Sequence, residues 1–274
     1  MTSAAPVAPP SGWGRGRPVR DFARHAWAIT EVELRKIRRD PTELATRAIQ
    51  PTLWLLIFGE VFTRARAIPT GDLSYLEFMA PGVLAQSVLF SAIFYGIAVI
   101  WERDLGIVHK LLVSPASRAA LVVGKAASAG LRALVQAAFV VALSAALGVR
   151  VRTDPASLLG LAVVVVVGGA LFSTFSFVIA CLVKTRERFM GIGQVLTMPL
   201  FFASNAIYPI AMMPGWLRAV ARVNPLTYLV SAARELMVSG GPAGAGLPRD
   251  LLVLGATWVV LTLIGARLYP GIVR

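Results

Sequence analysis

One short hydrophilic segment holds the ionisable side chains whose types and spacing could do chemistry: Glu102, Arg103, Asp104 and His109. Such groups transfer protons or hold metal ions when they are grouped with further acids or histidines. The sequence has only one other histidine, His25, in a different hydrophilic segment, and it has no aspartate pair or His-Glu cluster. Charged residues at the rim of an apolar surface are instead typical of protein docking. The segment therefore predicts contact with a partner rather than catalysis.

The dipeptide Gly124-Lys125 is a second candidate for chemistry, because a Gly-Lys pair occurs in phosphate-binding loops. Such a loop also needs a glycine five residues before this pair and a Ser or Thr after the lysine. Neither is present in this chain. The sequence therefore predicts that this polypeptide binds no ATP and has no cofactor of its own.

The elements that position these residues are apolar and long enough to cross a membrane. Hydrophobic residues make up 57% of the 274 positions and charged residues 15%, whereas soluble domains average about 45–50% and about 25%. Uncharged apolar runs of roughly 18 residues or more indicate transmembrane helices. We therefore expect an all-α integral membrane protein with six transmembrane helices. The expected spans lie near residues 49–63, 78–101, 119–147, 157–183, 189–209 and 250–267.

The net charge of +13 does not indicate a nucleic-acid partner. The basic residues are interrupted by membrane-length apolar segments and do not form one stripe. Anionic membrane lipids and the orientation of the chain explain the excess better. Lys and Arg are concentrated on the side of the two termini, and cytoplasmic segments retain positive charge. We expect both termini in the cytoplasm.

The chain begins with a hydrophilic region that precedes the first span. Residues 1–19 have no apolar stretch typical of a signal peptide and are predicted to form a disordered cytoplasmic tail, whereas residues 20–274 form one transmembrane domain. Residues 20–39 have one apolar and one basic helical face, which predicts an amphipathic helix in the cytoplasmic interface. An ordinary cytosolic amphipathic helix is the alternative. The residues predicted to define the interfacial helix are Phe22, Ile29, Val32, Arg35 and Arg38.

A short helix is predicted directly after the second span. Gly106 permits a sharp change of direction, and Ile107, Val108, Leu111 and Leu112 then share one helical face. This face would form an apolar patch outside the membrane. The patch suits a protein partner, although packing against the ends of the chain's own spans is an equal alternative.

Residues 210–249 form a segment between the fifth and sixth spans that is too apolar for a solvated loop. It is predicted to contain two short helices that enter the outer leaflet and leave on the same side, because neither apolar run reaches about 20 residues. A plain interfacial hairpin is the alternative. The residues that define this re-entrant pair are Pro214, Trp216, Asn224, Pro225 and Tyr228.

Polar residues inside the predicted spans are candidates for a transport pathway. Arg132 and Gln136 could line a passage or contact another subunit. The alternative is that the Arg132 side chain extends to the membrane interface. Gln86, Gln194 and Asn205 could also lie on the pathway. For these three residues, hydrogen bonding between helices is the structural alternative.

Two stretches resemble a known family. Residues 102–106 (Glu-Arg-Asp-Leu-Gly) followed by 111–115 (Leu-Leu-Val-Ser-Pro) resemble the cytoplasmic loop of ABC-2-type permeases, the membrane subunits of one class of ATP-binding-cassette exporters. Residues 213–217 with 224–228 are similar to the family's segment before the last span. Within this family, the chain most resembles the daunorubicin-resistance and nodulation-export permeases.

The resemblance implies that the short helix and the interfacial helix dock on a separate ATPase subunit, which would bind ATP and Mg²⁺. It also implies a second permease copy, as a homodimer or a heterodimer, in a bacterial plasma membrane. The residues carried over as the ATPase-coupling segment are Glu102, Arg103, Asp104, Gly106, His109, Leu111 and Leu112.

The expected function is export of an amphiphilic or hydrophobic molecule, such as a drug, a lipid or a lipid-linked glycan. The permease would have no catalytic site of its own, although the complex would hydrolyse ATP. An integral-membrane lipid or polyprenyl transferase and a passive channel are the alternatives.

Overall fold

The computed structural model describes residue 31 and residues 48–65, 68–106, 118–183, 185–240 and 246–269. The predicted tail lies outside these residues, as does the interfacial helix apart from Glu31. Residues 48–65 form one helical segment that includes a π-helical stretch, Trp54–Gly59. The α-helices are α1 (Glu60–Ala65), α2 (Tyr75–Asp104), α3 (Arg118–Ala146), α4 (Pro155–Leu182), α5 (Arg186–Phe202), α6 (Gly215–Val223), α7 (Pro225–Met237) and α8 (Leu247–Leu268).

The long helices run in alternating directions, so their termini gather at two opposite ends of the bundle. At the end that we call the Glu102 end, α2 and α4 finish and α3 and α5 begin, as contacts between these termini show. The opposite end, the Glu77 end, contains the start of α2, the connection from α3 to α4, and α7. Helix α4 is central, because it packs against α2, α3, α7 and α8.

Small residues allow the central helices to approach closely. A Cβ atom on Gly169 of α4 would lie 2.9 Å from Cα of Gly130 on α3, and a Cβ atom on Gly130 would lie 2.7 Å from the Val166 carbonyl oxygen. Small residues at helix interfaces let van der Waals packing and short interhelical contacts hold membrane bundles together. Gly168, next to Gly169, lies equally close to Leu229 of α7, so the Gly168-Gly169 pair packs α4 tightly against two neighbouring helices.

Four described helices are long and apolar enough to cross a membrane: α2, the part of α3 over Leu121–Ala146, α4 and α8. They correspond to the second, third, fourth and sixth predicted spans, with ends that differ by a few residues. The first predicted span lies within the helical segment 48–65. The fifth is shorter than predicted, because α5 ends at Phe202 and residues 203–206 are turns. Near this end, Pro199 has no N–H group to donate to a helical hydrogen bond. The Asn224 side chain binds the carbonyl groups of Leu200 and Ala203, which follow Pro199.

Several helices begin at capping residues that can be read from the sequence. Ser74 and Glu77 form a reciprocal capping box at α2, and Asp154 caps α4 by accepting a hydrogen bond from the Ser157 N–H group. This hydrogen bond lowers the pKa of Asp154, because it stabilises the carboxylate. Asn224 caps α7 in the same way, immediately before Pro225. The equivalent signals at Asp40-Pro41 and Ser114-Pro115 lie outside the described residues.

Candidate functional site: the two polar ends of the bundle

Glu102, one of the predicted coupling residues, forms an ion pair with Lys125 of α3. Only 14% of the Glu102 side chain and 5% of the Lys125 side chain are exposed. Removing one partner of a buried ion pair is unfavourable, because the other charge is then left uncompensated away from water. Gly124-Lys125 therefore lies inside a helix, where its lysine fixes α3 to α2, and this segment has no loop that could surround a phosphate.

Asp104 connects the end of α2 to the beginning of α5. Its Oδ2 accepts a hydrogen bond from Nη2 of Arg186 at 2.8 Å, and its Oδ1 accepts one from Nη2 of Arg103 at 3.1 Å. The Arg186 guanidinium carbon also lies 3.6 Å from the centre of the Trp101 ring, a cation–π contact. Asp104 and Arg186 are both about one-third exposed, at 37% and 34%. The joint between α2 and α5 is therefore electrostatic and reachable by water.

The predicted coupling segment continues beyond this joint. Arg103 donates from Nη1 to the Val183 carbonyl oxygen at 3.3 Å, which also ties α2 to the end of α4. Gly106 has a φ of +71°, so the predicted change of direction occurs there, in a backbone region that glycine adopts readily. His109, Leu111 and Leu112 lie outside the described residues. The structure thus describes four of the seven predicted coupling residues, of which Glu102, Arg103 and Asp104 contact other helices, and their docking role stays a prediction.

The Glu77 end contains a second ion pair, between Glu77 of α2 and Arg150 in the connection after α3. Arg150 Nε donates to Glu77 Oε1 at 2.7 Å, and this hydrogen bond raises the pKa of Arg150. An isolated β-bridge joins Val151 to Val238 beside this pair. The connection between α3 and α4 is therefore held to both α2 and the end of α7.

The predicted re-entrant pair consists of α6 and α7, so the prediction of two short helices is confirmed. On α6, Trp216, Val220 and Val223 are exposed, which gives this helix an apolar outer face. Most of α7 is buried. The Tyr228 hydroxyl donates to the Arg222 carbonyl oxygen and so closes the turn between the helices.

Asn224 joins this hairpin to the end of α5. Its Oδ1 accepts a hydrogen bond from the Leu226 N–H group, whereas its Nδ2 donates to the carbonyl oxygens of Leu200 at 2.7 Å and Ala203 at 2.9 Å. One amide thus caps the beginning of one helix and the end of another. This requires both the oxygen and the nitrogen of an asparagine side chain.

Arg234 of α7 is a charged residue that the sequence analysis did not select. Only 6% of it is exposed. Its Nε and Nη2 donate to the Phe78 carbonyl oxygen at 3.2 and 3.0 Å, and Nη2 also donates to the Asn205 carbonyl oxygen at 2.8 Å. The guanidinium carbon lies 4.0 Å from the centre of the Phe78 ring. Arg234 therefore links α7 to the first turn of α2 and to the turn after α5.

The five predicted pathway residues are divided among α2, α3, α5 and the turn after α5. Gln86 of α2 and Gln136 of α3 are buried, and Arg132 of α3 is partly buried. Asn205 lies in the turn after α5, where its Nδ2 donates to Ser231 Oγ of α7 at 2.8 Å. A place on the pathway stays a prediction for all five residues. Gln194 is exposed on α5.

Gln194 lines an apolar cleft of about 250 Å³ between α2 and α5. The cleft is also lined by Phe90, Ile93, Ile97, Phe189, Met190, Gly193, Thr197 and Met198. Since Phe189 is in the first turn of α5, the cleft extends toward the Glu102 end. Among the described residues, no group of three His, Cys, Asp or Glu side chains could hold a metal ion.

Over the described residues, the long apolar helices are those of a mostly helical membrane protein with several spans. Residues 24–238 match the family model described as ABC-2 type transporter, and the chain belongs to this family. A putative transport permease, ycf38, of Cyanophora paradoxa is 29% identical over 219 residues, 78% of this chain and 74% of the relative.

Two bacterial relatives have more specific names. The daunorubicin resistance ABC transporter permease protein DrrB1 of Streptomyces coeruleorubidus is 29% identical over 226 residues, which are 81% of this chain and 78% of the relative. Nodulation protein J of Rhizobium leguminosarum bv. trifolii is 27% identical over 170 residues, which are 61% and 64% of the two chains. The predicted resemblance is confirmed, and the chain is a membrane permease of the ABC-2 type.

Proposed function

We propose that this chain is the transmembrane subunit of an ATP-driven exporter that moves an amphiphilic or hydrophobic molecule. The observation that carries the proposal is the family match, which begins within the predicted interfacial helix and extends to the end of α7. It therefore includes both polar ends of the bundle. The chain would form a transport pathway and leave ATP hydrolysis to a separate subunit that binds ATP and Mg²⁺.

The Glu102 end is the proposed coupling end. The segment 102–113 begins with the last three residues of α2, and these residues, Glu102, Arg103 and Asp104, join α2 to α3, α4 and α5. Force applied to this segment by an ATPase would therefore reach three helices. His109, Leu111 and Leu112 complete the proposed docking surface, and the interfacial helix with Phe22, Ile29, Val32, Arg35 and Arg38 adds to it.

The proposed complex contains two permease copies with six spans each, in a bacterial plasma membrane with the termini in the cytoplasm. Residues 48–65 and α5 supply the first and fifth spans in this arrangement. The excess of Lys and Arg on the side of the Glu102 end supports the orientation. ATP binding would shift the helices between inward-facing and outward-facing states.

The chemistry of the bundle supports an apolar substrate. The cleft between α2 and α5 is surrounded mainly by Phe, Ile and Met side chains, with Gln194 and Thr197 as its polar members. Apolar pockets with few polar groups bind hydrophobic ligands. Because one relative is named for daunorubicin resistance, daunorubicin, which is fluorescent, is a suitable first probe.

The test is purification of the tagged chain from its native membrane in mild detergent. We expect an ATPase subunit with a phosphate-binding loop in a constant ratio, and ATP-dependent uptake of daunorubicin into inverted vesicles. Leu111→Asp should reduce recovery of the ATPase, whereas Trp216→Ala, at the opposite end, should not. Recovery of the chain alone in repeated preparations would contradict the proposal. Uptake of other amphiphiles but not of daunorubicin would change only the proposed substrate.

A further inference from the structure

Helix α5 is packed differently from its neighbours. Its contacts within the chain are mainly with α2, and a few are with α4. Met190, Ile192, Val195 and Met198 are 40–70% exposed along it. One face of α5, with Phe189, Gly193, Thr197 and Phe201, is therefore buried, whereas the opposite face makes few contacts within the described residues, and the polar contacts that hold the helix lie at its two termini.

The carboxyl terminus of α5 is held by side-chain donors that belong to other elements. The last carbonyl groups of a helix have no partner within that helix. Here Asn224 donates to Leu200 and Ala203, Arg234 donates to Asn205 in the following turn, and the Tyr75 hydroxyl donates to Ile207 at 3.1 Å. The partially negative end of a helix also favours a nearby cation.

The donors at this terminus are buried and mutually fixed. Asn224, Arg234 and Tyr75 are all less than one-tenth exposed. Arg234 also donates to Phe78 of α2, so the bonds that hold α5 are tied to the first turn of α2. Breaking them would leave buried polar groups unsatisfied, which is unfavourable in any low-dielectric surrounding.

The amino terminus of α5 is held by a different kind of contact. Arg186 binds Asp104 and stacks on Trp101, and the two charged side chains are about one-third exposed. Water can replace each partner there, so this contact exchanges at a low cost. It also adjoins the proposed coupling segment.

We infer that α5 pivots during transport about its carboxyl terminus, with Arg234 as the positioning residue that fixes the pivot, while its amino terminus moves relative to α2. This inference rests on the proposed function. The movement would widen or narrow the cleft between α2 and α5 at the Glu102 end. Arg234 contacts no substrate in this scheme and acts through the Asn205 and Phe78 carbonyl groups.

Two pairs of spin labels can test the pivot in a Cys181→Ser background. One pair, at Leu105 and Glu187, reports the Glu102 end, and the other, at Asp72 and Phe202, reports the Glu77 end. In the complex with its ATPase, addition of ATP and vanadate should shift the first distance and leave the second unchanged. Equal shifts in both pairs, or none in a complex that transports daunorubicin, would overturn the inference.

Variants test the role of Arg234. Arg234→Met should broaden the distance distribution at the Glu77 end and lower daunorubicin uptake per ATP hydrolysed by about fivefold or more, the scale of a typical coupling between sites. Arg218→Met is the matched control, because Arg218 also donates to two carbonyl groups, those of Ala211 and Met213, but both precede its own helix. The control should behave as the parent chain does. Identical behaviour of the Arg234 variant would contradict the inference.

Two further measurements separate the possible failures. If Arg234→Met does not fold, Arg234→Lys, which keeps the charge but not the forked geometry, should broaden the same distribution to a smaller extent. If no ATPase is recovered, the proposed function fails, but the chain alone still tests the pivot. The distribution of spin-label distances at the Glu102 end should then be broader than the distribution at the Glu77 end. A narrower distribution at that end would count against the pivot in either case.

Discussion

The two termini of α5 show two ways of holding one helix. At the Glu77 end, buried amide and guanidinium groups donate to backbone carbonyl groups. At the Glu102 end, a partly exposed ion pair and a stacked tryptophan hold it. Buried hydrogen bonds to main-chain carbonyl groups fix the position of a helix end, because breaking them leaves polar groups unsatisfied. The partners of an exposed ion pair can instead exchange with water and other charges. The difference indicates which end can move.

The Glu102 end also contains a buried ion pair, between Glu102 and Lys125, whose partners water does not readily replace. The prediction with the largest expected effect concerns this pair. Lys125→Met leaves the buried Glu102 carboxylate without the Lys125 charge, and we expect a loss of about 3–5 kcal/mol in the free energy of unfolding. A fluorescence-detected melting experiment in detergent would measure it. The double variant Glu102→Gln/Lys125→Met removes both charges and should recover most of the loss. A single variant that melts like the parent would mean that α2 and α3 are not fixed by this pair.

The second prediction concerns close packing at the pivot. A Cβ atom on Gly82 of α2 would lie 2.4 Å from the Ala206 carbonyl oxygen, so Gly82→Ala should force the turn after α5 away from α2. We expect a destabilisation of about 1–3 kcal/mol. Gly191→Ala near the other end of α5 is the control, because no atom lies within 4 Å of that Cβ position. It should be neutral or slightly stabilising in the same melting experiment, since alanine favours helix.

The third prediction separates the two functions of Asn224. Asn224→Ala removes the cap of α7 and both donations to α5, and should cost about 1–2 kcal/mol. Asn224→Asp keeps an oxygen that can cap α7 but replaces the donating amide with a charge that repels the carbonyl groups of Leu200 and Ala203. If the donations fix α5, the aspartate variant should be at least as destabilised as the alanine variant. Retention of parental stability by the aspartate variant would show that only the α7 cap matters.

Much of the fold was predictable, because apolar length and capping residues are local signals. The starts of α2, α4 and α7 follow from Ser74 with Glu77, Asp154 with Pro155, and Asn224 with Pro225. The end of α5 was not predictable in this way, since residues 203–209 contain no charge that would end a span. Their carbonyl groups are taken by side chains more than 20 residues away along the chain.

The polar partners were harder to predict than the helices. Glu102 and Asp104 stand out as charged residues next to a membrane span, but their partners Lys125 and Arg186 are distant in sequence. Arg234 was not among the predicted site residues. A local signal existed, because Arg234 follows Leu226 and Val230 at intervals of four residues and so shares their buried helical face. A charge on an apolar face indicates a buried partner, and only the fold shows that the partners are carbonyl groups.

The smallest predicted effect on stability is at the exchangeable joint. Asp104→Asn or Arg186→Gln should each change the free energy of unfolding by no more than about 1 kcal/mol, because the pair is partly exposed, and the difference from the parent should shrink at high salt. The same variants should alter how strongly daunorubicin changes the ATPase rate of the complex, since they loosen the end of α5 nearest the coupling segment. Charge exchange, Asp104→Arg with Arg186→Asp, restores an ion pair and should recover part of that response. The contrary result is a large loss of stability while daunorubicin still changes the ATPase rate as in the parent. It would mean that the amino terminus of α5, and not its carboxyl terminus, is the rigidly held end.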